Sequence, residues 1–297
     1  MKGKLLMTLL VRDEEEILEK NICHHLNHGV DMIIATDNGS IDGTVDILDK
    51  YQKKGVLEYL SEKEQNYEQD KWVSRMAAMA VEKNNASFVV HCDADEFWYS
   101  ATGNLKDGID EFCDVVYVNV INYLPPRSLS TLFFNFDNFS FLVSKTVSCP
   151  VPYDDRISSN LLLYAYPKKI ITSRKVLNIA YGNDTPIYDG ELKKSESDLL
   201  HIHHFPIRSL KHFERKVING GTSFLKNPLN NRDICWHWKQ WYQLYKDGKI
   251  IDEYKKIALF DRELLDRLLN NEIVKECRVP RKIHYSESMW KLRNWLR

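Results

Sequence analysis

Short apolar runs alternate with stretches of helical period along the first hundred residues. Lys4 to Val11 is nearly unbroken apolar sequence, as a parallel strand buried on both faces would be. The acidic segment Arg12 to Glu16 suits the first turn of a helix, and Leu18, Ile22, His25 and Leu26 then recur on one face before Gly29 stops it. Met32 to Thr36 reads as a second strand. The polar turn Asp37 to Thr44 leads into a helix over Val45 to Lys53, and Val56 to Leu60 forms a third strand. Trp72, Val73, Met76, Met79 and Ala80 mark the next amphipathic helix, and Ser87 to Cys92 a fourth strand ending in Asp93-Ala94-Asp95-Glu96. Strict alternation of this kind predicts a mostly parallel sheet covered by helices on both faces. Ligands of such sheets collect beyond the carboxyl ends of the strands. Arg12-Asp13, Asp37-Asn38 and Asp93 to Glu96 all fall there.

From about Asp114 the pattern changes. Val115 to Ile121 reads as a strand, and aromatic, loop-rich sequence punctuated by Pro125-Pro126 and Cys149 to Pro152 runs to about Leu200. His201 to Pro206 follows, then a helix near Ser209 to Asn219, Gly220-Gly221, and helical pattern to the end. The expected division is a nucleotide-binding α/β domain over residues 1–221 and a helical extension over 222–297. Trp236 to Tyr245 is dense in aromatics and reads as helix-packing core.

Composition adds bounds. A formal net charge of -1 lacks the basic field of a nucleic-acid binder. Six scattered cysteines without a CxxC pair read as reduced thiols, no apolar run reaches the ~18 residues of a membrane span, and the expected location is the cytoplasm. Lys275 to Arg297 carries seven basic residues against two acidic ones, with Trp290 and Trp295 interleaved. Such a tail suits either a solvated helix or peripheral contact with the inner face of an anionic membrane.

Two aspartates one residue apart at a strand end can turn toward one cation. Their oxygens suit hard Mn²⁺ or Mg²⁺, which also bind diphosphate oxygens and stabilise a departing nucleoside diphosphate. One DxD alone is weak, but three further segments accompany it in order. Leu9 to Glu15 with Asp37-Asn-Gly-Ser-Ile-Asp-Gly-Thr44, Glu68 to Arg75, Asp93-Ala-Asp-Glu-Phe-Trp98, and His203-His-Phe-Pro-Ile-Arg-Ser209 with Lys216 to Gly220 together resemble the family 2-like glycosyltransferases. The DADEF box is similar to that of the related family 92 enzymes.

The resemblance implies a GT-A type fold and sugar transfer from a nucleoside-diphosphate donor, such as a UDP-sugar, to a glycan or lipid-linked acceptor in cell-surface polysaccharide synthesis. It places Arg12, Asp13, Asp37 and Asp93 on the nucleotide sugar, with Arg75 and Lys216 as diphosphate partners. Asp93, Asp95 and His204 are implied for the metal. Arg12-Asp13 stands where many members carry Asn-Glu. The family's inverting chemistry needs a general base; Asp154, Asp155, Asp184 and Asp189 are candidates, with Asp155 preferred. Strand alternation puts His201 and His203 on one face and His204 on the other, with Pro206 ending the ladder. An alternative is a metallohydrolase in which the His201–His204 segment and Asp93/Asp95 hold an ion that activates water.

Overall fold

A computed structural model describes residues 3–64, 68–147, 160–226 and 236–283. Its first half follows the sequence pattern: β1 (Leu5–Val11), α1 (Glu15–Asn27), β2 (Met32–Asp37), α2 (Thr44–Lys53), β3 (Leu57–Ser61), α3 (Gln69–Ala78) and β4 (Phe88–Asp93). A single π-helical turn, Met79–Lys83, extends α3. Alternate β1 side chains serve opposite faces, as the period of two requires. Met7, Leu9 and Val11 join Leu18, Ile22 and Leu48 in one core cluster, while Leu6 joins Val73 and Met76 in another. Both faces of the sheet are therefore covered.

Beyond β4 come β5 (Glu96–Ser100), β6 (Val115–Asn122), β7 (Phe141–Val143), β8 (Lys169–Ser173), β9 (Asn178–Ile179), β10 (Pro186–Ile187) and β11 (Lys194–His204). Four helices follow, α4 (Leu210–Lys226), α5 (Trp236–Lys246), α6 (Ile250–Ile257) and α7 (Arg262–Asn270), and then β12 (Val274–Glu276). The main sheet has eight strands in the order β3-β2-β1-β4-β8-β6-β11-β5. Pairing is parallel from β3 to β4 and between β6 and β11, but β8 and β5 run against their neighbours. The sheet is thus mixed, and parallel throughout only in the half where strand-helix alternation is strict.

The later helices build a separate core cluster around Phe213, Val217, Trp241, Tyr254 and Leu268. Trp241 is anchored by its indole N–H, which donates to Glu253 Oε1 at 3.1 Å. Helices α4 and α5 approach so closely that a Cβ on Gly220 would lie 2.6 Å from the Trp238 ring, and one on Gly221 2.5 Å from Tyr242. Helix α4 runs unbroken across position 221. Among the described residues no helix is long and apolar enough to cross a membrane.

Candidate active site

The carboxyl end of β1 shapes one wall of the site. Asp13 holds a left-handed backbone (φ 56°), which costs a non-glycine residue on the order of 1–2 kcal/mol. Three hydrogen bonds offset that cost. The Asp13 amide donates to Ser40 Oγ at 2.9 Å, Oδ1 accepts the Ile41 amide at 2.8 Å, and Oδ2 accepts the Asn219 side-chain amide at 2.7 Å. Arg12 donates from Nη1 to Ser223 Oγ at 2.9 Å, while its buried Nε has no partner. Asp37, buried at the end of β2, accepts the Ser40 amide at 3.3 Å and so shapes the turn that meets Asp13.

Asp93 to Glu96 is the tight turn between β4 and β5. Its two aspartates face different partners. Asp93 Oδ2 lies 2.9 Å from Lys169 Nζ, and Oδ1 accepts the Asn183 amide at 3.0 Å. Glu96 is fully buried; one oxygen accepts the Asp93 amide at 3.1 Å and the other lies 2.9 Å from Lys169 Nζ. Burial lifts the Glu96 carboxyl to about 7 against the pull of Lys169. Burial alone would lower Lys169, but Asp93 and Glu96 outweigh it and hold the ammonium well above its ordinary value.

Asp95 meets Lys216 Nζ at 2.6 Å through Oδ2 and His204 Nε2 at 3.5 Å through Oδ1. Burial would raise its pKa, yet these two neighbours hold the carboxyl well below the usual range, so it is ionised. His204 Nδ1 lies 2.7 Å from Asn122 Oδ1, and the Asn122 amide in turn donates to the Leu162 carbonyl at 3.4 Å. That orientation makes Nδ1 the donor and points Nε2 at Asp95. The β11 ladder runs through His204, two residues short of Pro206. His203, on the opposite face, pairs with the Tyr123 hydroxyl at 2.9 Å and stays out of the site.

Arg12, Asp13, Asp93, Asp95, Lys169, His204 and Lys216 line one cavity of about 720 Å³ at the carboxyl ends of β1 and β4. Helix α4 closes it with a stripe at intervals of four: Arg215 lies 3.6 Å from Asp42, Asn219 bonds Asp13, and Ser223 bonds Arg12. Arg215 Nη2 is buried without a partner. Orphaned guanidinium N–H groups in a cavity signal an anion, since an unsatisfied buried donor is costly. Tyr164, Tyr166, Trp238 and Trp241 form an aromatic side of the same cavity. Glu14 also lines it, its carboxyl raised by burial against the opposing pull of the fully buried Arg208 with which it pairs.

Of the residues singled out from the sequence, Arg12, Asp13, Asp93, Asp95, His204 and Lys216 all line this cavity. Asp37 and Arg75 are not among its lining residues; Arg75 is half-exposed and paired with Glu62 at 3.1 Å. Asp154 and Asp155 lie outside the described residues, as does the tail beyond Ile283. Arg215, Glu14 and Arg208 escaped the sequence reading. The i, i+4, i+8 spacing of Arg215, Asn219 and Ser223 was the available signal for the first.

Among the described residues no group of three His, Cys, Asp or Glu could hold a metal ion. The Asp95–His204 pair does fit two positions of a cation's shell. Ligands at ~2.1 Å on adjacent positions stand about 3 Å apart, and Mg²⁺ commonly uses one or two protein ligands with phosphate oxygens completing the set. Asp93, turned to Lys169 and Asn183, does not fit that shell.

No family model and no curated protein matches the chain. Solved structures with a similar course include residues 1–349 of S. aureus TarS, 15% identical with a TM-score of 0.41 over 76% of this chain and 66% of that one. That protein has also been crystallised with UDP and with UDP-GlcNAc. Against the longer TarS chain the match spans 40% of its length. Glucosyl-3-phosphoglycerate synthase from Mycobacterium tuberculosis, in a complex with Mn²⁺, UDP and glucosyl-3-phosphoglycerate, is 19% identical with a TM-score of 0.26 over 40% of this chain and 44% of that one.

Proposed function

We propose that this chain is a glycosyltransferase that moves a sugar from a nucleoside-diphosphate donor to an acceptor hydroxyl. The observation that supports it is the convergence, at the carboxyl ends of β1 and β4, of an ionised Asp95 facing His204 Nε2 with Arg12, Arg215 and Lys216 in one cavity. Cationic side chains beside a two-donor cation seat suit a diphosphate better than any neutral ligand.

In this reading Asp95 and His204 would hold Mn²⁺ or Mg²⁺ beside the diphosphate. The cation supplies Lewis-acid neutralisation of charge on the departing nucleoside diphosphate. Arg12 and Arg215 bind phosphate oxygens through their orphaned N–H groups, and Lys216 exchanges Asp95 for the diphosphate. Asp13 and Asp37 position the loops around the nucleotide. The aromatic side of Tyr166, Trp238 and Trp241 receives the acceptor, a glycan or lipid-linked sugar. Inversion requires a base at the acceptor hydroxyl, and Asp155 is the residue we assign to it. A UDP-sugar donor, a role in cell-surface polysaccharide synthesis, a 1–221 and 222–297 division of labour, and a cytoplasmic site with the basic tail on the inner membrane face complete the proposal. His203, held by Tyr123, gives a metallohydrolase cluster no support.

Incubation with a panel of nucleotide sugars, with and without Mn²⁺ and Mg²⁺, tests the reading through slow donor hydrolysis. One donor should be cleaved in a metal-dependent way. If no donor is either bound or cleaved under any of these conditions, the reading fails.

A further inference from the structure

We infer that Lys169 is a built-in cation for the Asp93–Glu96 turn, and that by engaging Asp93 it leaves Asp95 and His204 as the pair that meets a divalent ion. Lys169 opens β8 with its side chain only 1% exposed. Nζ lies 2.9 Å from Asp93, 2.9 Å from Glu96 and 2.7 Å from the Gly182 carbonyl. Two of the ammonium protons are donated, to Asp93 Oδ2 and the Gly182 carbonyl, and Glu96 Oε1, which accepts no hydrogen bond, is held by charge alone. The remaining Asp93 oxygen takes the amides of Asn183 at 3.0 Å and Gln69 at 3.5 Å. Both Asp93 oxygens are therefore engaged by protein donors, whereas Asp95 Oδ1 faces His204 Nε2.

Lys216 on Asp95 is a different kind of contact. Its side chain is 27% exposed, reaches in from a helix that lines the cavity, and can swing off when a ligand arrives. Lys169 is 1% exposed, and its leaving would strand the fully buried Glu96 carboxylate along with the partly exposed Asp93. One aspartate of the motif fixes the turn while the other faces the ligand. This assignment rests on the reading of the cavity as a donor site.

The seat of Lys169 also predicts what its removal leaves: two carboxylates and a carbonyl around a hole, which is a hard-cation site. Melting of wild type and Lys169→Ala, without nucleotide, in EDTA and then in millimolar Mg²⁺ or ethylammonium tests this. The variant should melt lower in EDTA and recover far more than wild type gains on adding either cation. In parallel, Mn²⁺ titration followed by electron paramagnetic resonance should show Asp93→Asn binding like wild type and Asp95→Asn weaker by at least about tenfold. Equal cation responses of Lys169→Ala and wild type, or Mn²⁺ weakened alike by both aspartate variants, would overturn the inference. Should Lys169→Ala not fold, the Mn²⁺ arm decides; should wild type bind no Mn²⁺ alone, the melting arm does. Neither arm uses a sugar donor, so failure here leaves the donor-hydrolysis result standing.

Discussion

Asn219, in the middle of α4, donates its side-chain amide to Asp13 Oδ2 at 2.7 Å, and so ties the helix that closes the cavity to the strained residue at the end of β1. Both oxygens of Asp13 are engaged within the protein. The aspartate consequently acts on a bound nucleotide through the loop and helix that it joins. A double-mutant cycle with Asp13→Ala and Asn219→Ala should give a coupling of about 1.5–3 kcal/mol in unfolding free energy, the range for a hydrogen bond to a charged group. Additive effects of the two substitutions would show that the link carries no energy.

Asp95→Asn keeps the shape of the turn but makes a poor ligand for a hard cation. Metal-dependent donor hydrolysis should fall by more than the roughly 10–100-fold seen when supporting residues of metal sites are lost. Turnover at the wild-type rate in ample Mn²⁺ would remove Asp95 from the site.

Arg215 lines the cavity, and its buried Nη2 has no partner. Replacing it with Met should weaken a free nucleoside diphosphate by about 1.5–3 kcal/mol in calorimetry. Arg75→Met should change that affinity little, because Arg75 is held by Glu62 away from the cavity lining. The reverse ranking would move the diphosphate toward α3.

His91 lies in β4 with its two ring nitrogens 3.0 Å from Thr8 Oγ1 and 2.9 Å from Thr172 Oγ1, and burial lowers its pKa from 6.5 to about 3. A lowered histidine pKa means that the unfolded chain binds the proton first. The stability this group contributes is complete above about pH 6.5 and declines as pH falls toward 3. In denaturant titrations from pH 6 to 4, His91→Gln should lose stability more slowly than wild type, by up to about 1.4 kcal/mol per pH unit. Parallel pH slopes would show His91 to be solvated in the native state.

The first half of the fold was legible because each element there announces its own period. The expected strand at 32–36 became Met32–Asp37, and the helix at 45–53 became Thr44–Lys53. The second half was less so. Strand β8 carries Lys169 in a buried position, which hides a strand from any reading that seeks apolar runs. Strand β5 begins at Glu96, a residue already claimed by the acidic motif. Residues of the cavity that sit on strand ends could be named from the sequence, since the sheet order implies where those ends gather. The Glu14–Arg208 pair could not, because its meaning comes from where the approach to α4 settles across the sheet, and Arg215 was marked only by its spacing with Asn219 and Ser223.

The stripe on α4 has a consequence for how the molecule comes into being. Asn219 and Ser223 meet partners 206 and 211 residues earlier in the chain, so these bonds close some of the longest loops in the protein. Chain synthesis proceeds from the N-terminus, and contacts of such separation form late. A growing chain that has already laid down all eight strands of the sheet still lacks Arg215, Lys216 and Asn219, and therefore has no closed anion pocket. Competence to hold a charged ligand arrives in one step, when a single helix docks, and a ligand present at that moment would favour the docked state.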